Sequence, residues 1–172
     1  VPAQAVLAPN ATVSFAKTGI CLGCSLDNPG NLVDMTPQGA PDLTTFATLQ
    51  RTIAVATSVT ATVKDPTDFA NYPAGSTVGF IIANPKQLLT LDALAGVKLE
   101  TFLGGTMQEE ASTKAGSVQL NLLGLLGNGN QQFVYFKTKK PFDSLAIRNA
   151  SVLGVNAQLD LYTACATTST IP

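Results

Sequence analysis

Residues Thr52 to Val63, TIAVATSVTATV, alternate in character from end to end. Ile53, Val55, Val59, Ala61 and Val63 fall on one side of an extended chain, and Thr52, Ala54, Ala56, Ser58, Thr60 and Thr62 on the other. Side chains of a strand point alternately to two faces, and β-branched residues suit a pleated, half-buried surface. The stretch therefore reads as a strand. Lys64-Asp65-Pro66 ends it, because proline has no N–H to give to a ladder.

The same signal recurs on either side. Thr77 to Ala83 is an unbroken apolar run, the mark of a strand covered on both faces, and Asn84-Pro85 stops it. Lys98–Leu103, Ser117–Leu123, Gln132–Lys137, Phe142–Arg148 and Val152–Thr163 alternate as well, as does Ala11–Ala16 through Val13 and Phe15. Gly104-Gly105 and the GLLGNGN stretch from Gly124 to Asn130 supply turns. Gln87 to Ala95 fits a helical turn or a strand, whereas Thr67–Ser76 and Thr106–Gly116 read as loops. There is no long amphipathic helix, internal repeat or linker. About eight or nine short strands separated by turns predict an all-β chain, an antiparallel β-sandwich or jelly roll. The expected organisation is an extended N-terminal arm over residues 1–10, a single sandwich domain over 11–165, and a tail over 166–172.

Composition narrows the function classes. Apolar residues make up 45% of the chain and charged ones 12%, about half the usual share. Disorder goes with the opposite balance. A surface of Thr, Ser, Asn and Gln with so little charge has weak electrostatic protection against self-association. The net charge is −1, Lys137, Lys139 and Lys140 form the one basic cluster, and arginine occurs at 51 and 148 alone. No phosphate-binding stripe follows, so no nucleic-acid partner is expected. No apolar run approaches the length of a membrane span. There is no histidine, which removes the usual general base, metal ligand and pH switch together. Glu100, Glu109, Glu110, Asp65, Asp68 and Asp143 could act as carboxylate pairs, but none stands out, and the adjacent Glu109 and Glu110 would point to opposite sides of a strand. Gly-x-Ser-x-Gly and phosphate-loop motifs are absent. A non-catalytic protein is expected.

Cys21, Cys24 and Cys165 are an odd number, so one bridge leaves one thiol over. The first and last strands of a two-sheet sandwich are often neighbours. The expected bridge joins Cys165 to Cys21 or Cys24 and closes a loop of roughly 140 residues, worth about 4–5 kcal/mol in the chain-entropy account. The rival is a Cys21–Cys24 redox pair. Such a pair normally opens a helix, and Asp27-Asn28-Pro29-Gly30-Asn31 is expected to exclude one. Either bridge implies an oxidising compartment and a secreted, extracellular protein. The chain opens on Val1 instead of Met, as after removal of a leader.

Three segments are candidates for function. Gly19 to Gln50 is expected to be a long loop, in which Asp27, Asp34 and Asp42, with Thr44, Thr45 and backbone carbonyls, offer oxygen donors of the kind Ca²⁺ takes. Solvated aspartates and Asx-turns are the plainer account of the same residues. Tyr72, beside Asn71 and Asp68 in a polar loop, is a possible platform for a sugar, whereas Tyr135 and Tyr162 fall inside strands. Val1 to Pro9, with Val6 and Leu7 between Pro2 and Pro9, is an uncharged arm. It fits a first edge strand, a frayed terminus, or a strand given to a neighbouring subunit. Asn10-Ala11-Thr12 and Asn149-Ala150-Ser151 have the form of glycosylation sequons.

Asn28-Pro29, then Val33-Asp34, then Asp42-Leu43-Thr44-Thr45-Phe46 resembles the early signature of discoidin-type (galactose-binding-like) jelly rolls. Cys21-x-x-Cys24-Ser25-x-x-Asn28-Pro29 through Leu49, with Leu159-x-Leu161-Tyr162-x-x-Cys165, is similar to modules of secreted Bacteroidetes surface proteins. The resemblance covers about 30 residues and the last strand. It implies a calcium brace with Asp34, Asp42 and Thr45 as ligands and Val33 giving a carbonyl. This chain places Met35 to Pro41 between the two aspartates and has Phe46 where the family usually has Trp. Two functions are therefore expected to compete. One is a self-associating subunit of a cell-surface filament or layer, whose partners are copies of itself. The other is a calcium-braced module that binds surface glycans.

Overall fold

The computed structural model describes residues 11–34, 36, 42–51, 53–65, 72–84, 89–90, 92, 94–112, 118–122, 131–150 and 157–167, with the backbone alone at 53–56, 119–122, 157 and 167. Eleven strands occur among them: β1 (Thr12–Leu22), β2 (Ser25–Asp27), β3 (Ala47–Arg51), β4 (Ile53–Lys64), β5 (Thr77–Ala83), β6 (Val97–Leu103), β7 (Thr106–Ser112), β8 (Gln119–Leu122), β9 (Gln132–Lys137), β10 (Ser144–Asn149) and β11 (Ala157–Thr167). They form two antiparallel sheets, with orders β1-β4-β10-β6-β7 and β2-β3-β11-β5-β9-β8. The expected all-β sandwich is the observed fold.

Alternation explains the packing. Val59, Ala61 and Val63 of β4, Leu99 of β6, and Leu145 and Ile147 of β10 are the buried face of the first sheet. Leu49, Phe80, Ile82, Val134, Leu159 and Leu161 of the second sheet belong to the same core. All seven residues of β5 are buried, as its unbroken apolar run requires. Gly79 lies where β5 meets β9, and a Cβ there would overlap the Val134 carbonyl oxygen and lie 2.7 Å from Tyr135 Cα. Only glycine lets those two backbones approach.

Four expectations are corrected. The segment from Gly19 to Gln50 is not one long loop, because β1 runs on to Leu22 and β2 and β3 pair within it as Ser25↔Gln50 and Asp27↔Thr48. Asp27 to Asn31 does not exclude a helix: Pro29–Leu32 is a single 3-10 turn, entered through left-handed Asn28 (φ 53°) with Pro29 in its first turn. Proline is tolerated there because its missing N–H would have had no partner. Thr106 to Ser112 is strand β7 and not a loop, since its polar side chains suit a solvent-facing edge. The β1–β4 register is interrupted, passing from Thr18↔Ser58 to Ile20↔Val55.

The cysteine pairing is the fourth correction. Cys21 is bonded to Cys24, and Cys165 is a free, fully buried thiol. β1 is an edge of one sheet, whereas β11 lies inside the other, between β3 and β5. The first and last strands are not neighbours, so Cys165 has no cysteine to meet. Burial pushes its thiol up to about 12, partly offset by the Thr163 hydroxyl, and keeps it in the neutral form.

Candidate functional site

The acidic segment is drawn together after the 3-10 turn. The Asp42 N–H donates to the Asp34 carbonyl oxygen (3.4 Å), which brings the two aspartates to one place. Each carboxylate already has a hydroxyl partner. Thr45 Oγ1 donates to Asp34 Oδ2 at 2.5 Å, and Thr44 donates to Asp42 Oδ1 from both its N–H (2.9 Å) and its Oγ1 (2.6 Å). Those Thr44 bonds hold the Asp42 carboxyl below the usual carboxylate range. Asp34 Oδ1 is buried without a hydrogen-bond partner among the described residues. Val33 is half-buried against the core. Asp27 lies apart from this pair, on edge strand β2. Among the described residues no three His, Cys, Asp or Glu side chains gather as a metal group. Asp34, Asp42, Thr44 and Thr45 thus come together as an Asx-type turn with one open oxygen.

Tyr72 stands at the end of the sandwich where β4 runs out. Its backbone bridges Phe142 in both directions, with N–H to carbonyl distances of 2.8 and 3.0 Å. Its ring stacks on Phe142, centroids 5.1 Å apart. One face of the expected platform is therefore occupied by the core, and the hydroxyl is bonded to Asp65. Asp68, Asn71 and the arm residues Val1, Pro2, Val6, Leu7 and Pro9 lie outside the described residues. Asp65 is 6% exposed, and its Oδ2 has no partner among the described residues. Burial raises its carboxyl to about 6, the Tyr72 hydroxyl pulls it down, and Asp143 adds a like charge. Tyr135 stacks on Phe133 and Tyr162 lies against Phe46, so both rings pack within the fold.

Register makes the carboxylate pair that the sequence does not show. β6 and β7 place Glu100 directly opposite Glu110. Glu100 is 3% exposed, and burial, then its hydrogen bond with Glu110, raises its carboxyl. Lys98 donates to Glu110 at 3.0 Å and holds that carboxyl down, while Arg148 stands 4.0 Å from Glu100. Glu100 thus holds its proton more tightly than Glu110 does. Glu109 turns the other way and accepts from the N–H groups of Lys139 and Lys140 (2.9 and 3.1 Å), tying β7 to the turn before β10. The pairing was invisible in sequence because Glu100 and Glu110 meet only through the β6–β7 hairpin.

Edge strand β1 carries the most exposed large apolar side chains among the described residues. Ile20 is 75% and Leu22 66% exposed, with buried Cys21 between them. The alternation puts Ile20 and Leu22 on the outward face and Cys21 in the core. Lys17 is the one charged residue of the strand. At the opposite edge of the same sheet, β7 carries Glu109, Glu110 and half-exposed Met107.

No protein family, curated protein or solved structure matches the chain.

Proposed function

We propose that this protein is a non-catalytic extracellular structural subunit that associates with copies of itself in a cell-surface filament or layer. The observation that carries this reading is β1, an eleven-residue edge with a single charge and two exposed apolar side chains. Unpaired strand edges are templates for another chain, and sheets usually blunt them with charge. Exposed apolar residues grouped on such an edge mark a contact surface. The occupant is a second copy, joined through its β7 edge. Lys17 on β1 and Glu109 with Glu110 on β7 give the two edges opposite charge. A contact between two different edges of one sheet need not close, so it propagates. A Cys21–Cys24 disulfide fits a secreted location. No helix among the described residues is long and apolar enough to cross a membrane.

The test is sedimentation and negative-stain microscopy of the parent, of Ile20→Lys with Leu22→Lys, and of the chain lacking Val1 to Pro9. The reading expects concentration-dependent assembly of the parent, reduced at least tenfold by the double substitution. Loss of assembly on removing the arm alone would assign the contact to strand exchange by the arm. A parent that stays monomeric at every concentration overturns self-association. The second reading, a calcium-braced glycan-binding module, rests on the open Asp34 Oδ1 beside Asp42. It expects the parent to melt higher in calcium than in chelator, and Asp34→Asn to remove the difference.

A further inference from the structure

Arg51 is the largest fully buried side chain among the described residues, at 1% exposure. It shares its face of β3 with Ala47 and Leu49, both part of the core, one step past the Ser25↔Gln50 pair and opposite Ala157 of β11. Its Nε and Nη1 are buried and donate to no acceptor among the described residues. Neither ion pair among the described residues includes it. Ten of the eleven acidic residues lie in the described set, and none of them is paired with Arg51. A guanidinium carries a fixed positive charge in proteins, so the position needs a counter-charge. Burying a charge without a partner is strongly unfavourable. A neutral protein group can accept a hydrogen bond but cannot cancel that charge.

We infer that Arg51 forms an internal binding site for a small inorganic anion, held by Nε and Nη1 in the corner where the chain passes from β3 to β4. The exposure leaves no room for a macromolecule to reach the guanidinium, so the ligand comes from solution and is small. Two unsatisfied N–H groups and a full positive charge select an anion over water.

The experiment is thermal unfolding at constant ionic strength in chloride and in gluconate, which is too bulky to enter, for the parent and for Arg51→Met. The parent is expected to melt several degrees higher in chloride, with a saturable dependence on its concentration. Arg51→Met is expected to fold, to match or exceed the parent in gluconate, and to show no chloride dependence, because an apolar side chain replaces an uncompensated charge. Equal melting of the parent in the two salts overturns the proposal, as does a chloride shift that survives in Arg51→Met. If Arg51→Met does not fold, crystals of the parent soaked in bromide decide. An anomalous peak within hydrogen-bond distance of the Arg51 guanidinium supports the site, and its absence overturns it.

Discussion

Asp65 shows what a single residue costs when the fold seals it in. Its carboxyl rises from the ordinary 3.8 to about 6, chiefly through burial. A folded-state value above the unfolded one means that the folded chain binds the proton more tightly. The group is therefore harmless below pH 4 and costs stability as pH rises through 6. Asp65→Asn keeps an acceptor for the Tyr72 hydroxyl and removes the charge. Urea unfolding is expected to find this variant equal to the parent at pH 3.5. At pH 8 the variant should be more stable by about 1 kcal/mol, the 1.4 kcal/mol per pKa unit being damped by solvent at the end of the sandwich. A gap that is independent of pH would mean that folding does not shift the Asp65 carboxyl. Glu100 follows the same rule, but Glu110 and Lys98 share its proton balance, so Asp65 is the cleaner probe.

At the scale of elements, the bond between Cys21 and Cys24 joins the end of β1 to the start of β2, which belong to different sheets. It therefore fixes a corner of the sandwich, and Gly23 between them takes a left-handed φ of 71°. A loop this short restricts the unfolded chain far less than one closed through Cys165. The chain-entropy account gives about 2 kcal/mol, against 4–5 for the long loop. Replacing both Cys21 and Cys24 by Ser is expected to lower stability by about 2 kcal/mol while leaving the far-ultraviolet strand signal unchanged. Thiol titration checks the pairing directly. The native protein should react at no cysteine, and the denaturant-unfolded, unreduced protein at one. Two or more reactive thiols after unfolding would show that the bridge is absent.

At the scale of the molecule, the two sheets are closed by strands distant in sequence. β11 inserts between β3 and β5, so that Leu159 faces Leu49 and Cys165 faces Gly79. β10 inserts in the same way between β4 and β6. Neither sheet is complete until the C-terminal half of the chain exists. Truncation after Asn156 is expected to abolish cooperative unfolding altogether, because it splits the second sheet and exposes the core face of β5. Calorimetry should show no transition. A truncated chain with a sharp transition would mean that the first sheet folds alone.

Much of the fold was legible in the sequence. β5 and β9 lie at Thr77–Ala83 and Gln132–Lys137 as their patterns predict, and β4 and β6 within a residue at each end. Strand periodicity is a property of adjacent residues, so a short window carries it. The lack of histidine and the scarcity of charge needed no structure either. The candidate sites were less legible. Asp34 with Asp42, both in the acidic segment, could be guessed from nearness along the chain. Glu100 with Glu110, the occupied face of Tyr72, the burial of Arg51 and the exposure of Ile20 and Leu22 could not. Each depends on which strands are neighbours and in what register. The interruption of the β1–β4 register between Thr18↔Ser58 and Ile20↔Val55 makes the point within one pair of strands, since the alternation of neither strand marks it. The sequence by itself determined that this chain alternates into strands and packs as a sandwich. Tertiary structure alone decided which strand is an edge, which cysteine finds a partner, and which charge is sealed inside, because those depend on contacts between residues far apart in the chain, such as the Thr48–Asp160 hydrogen bond across 112 positions.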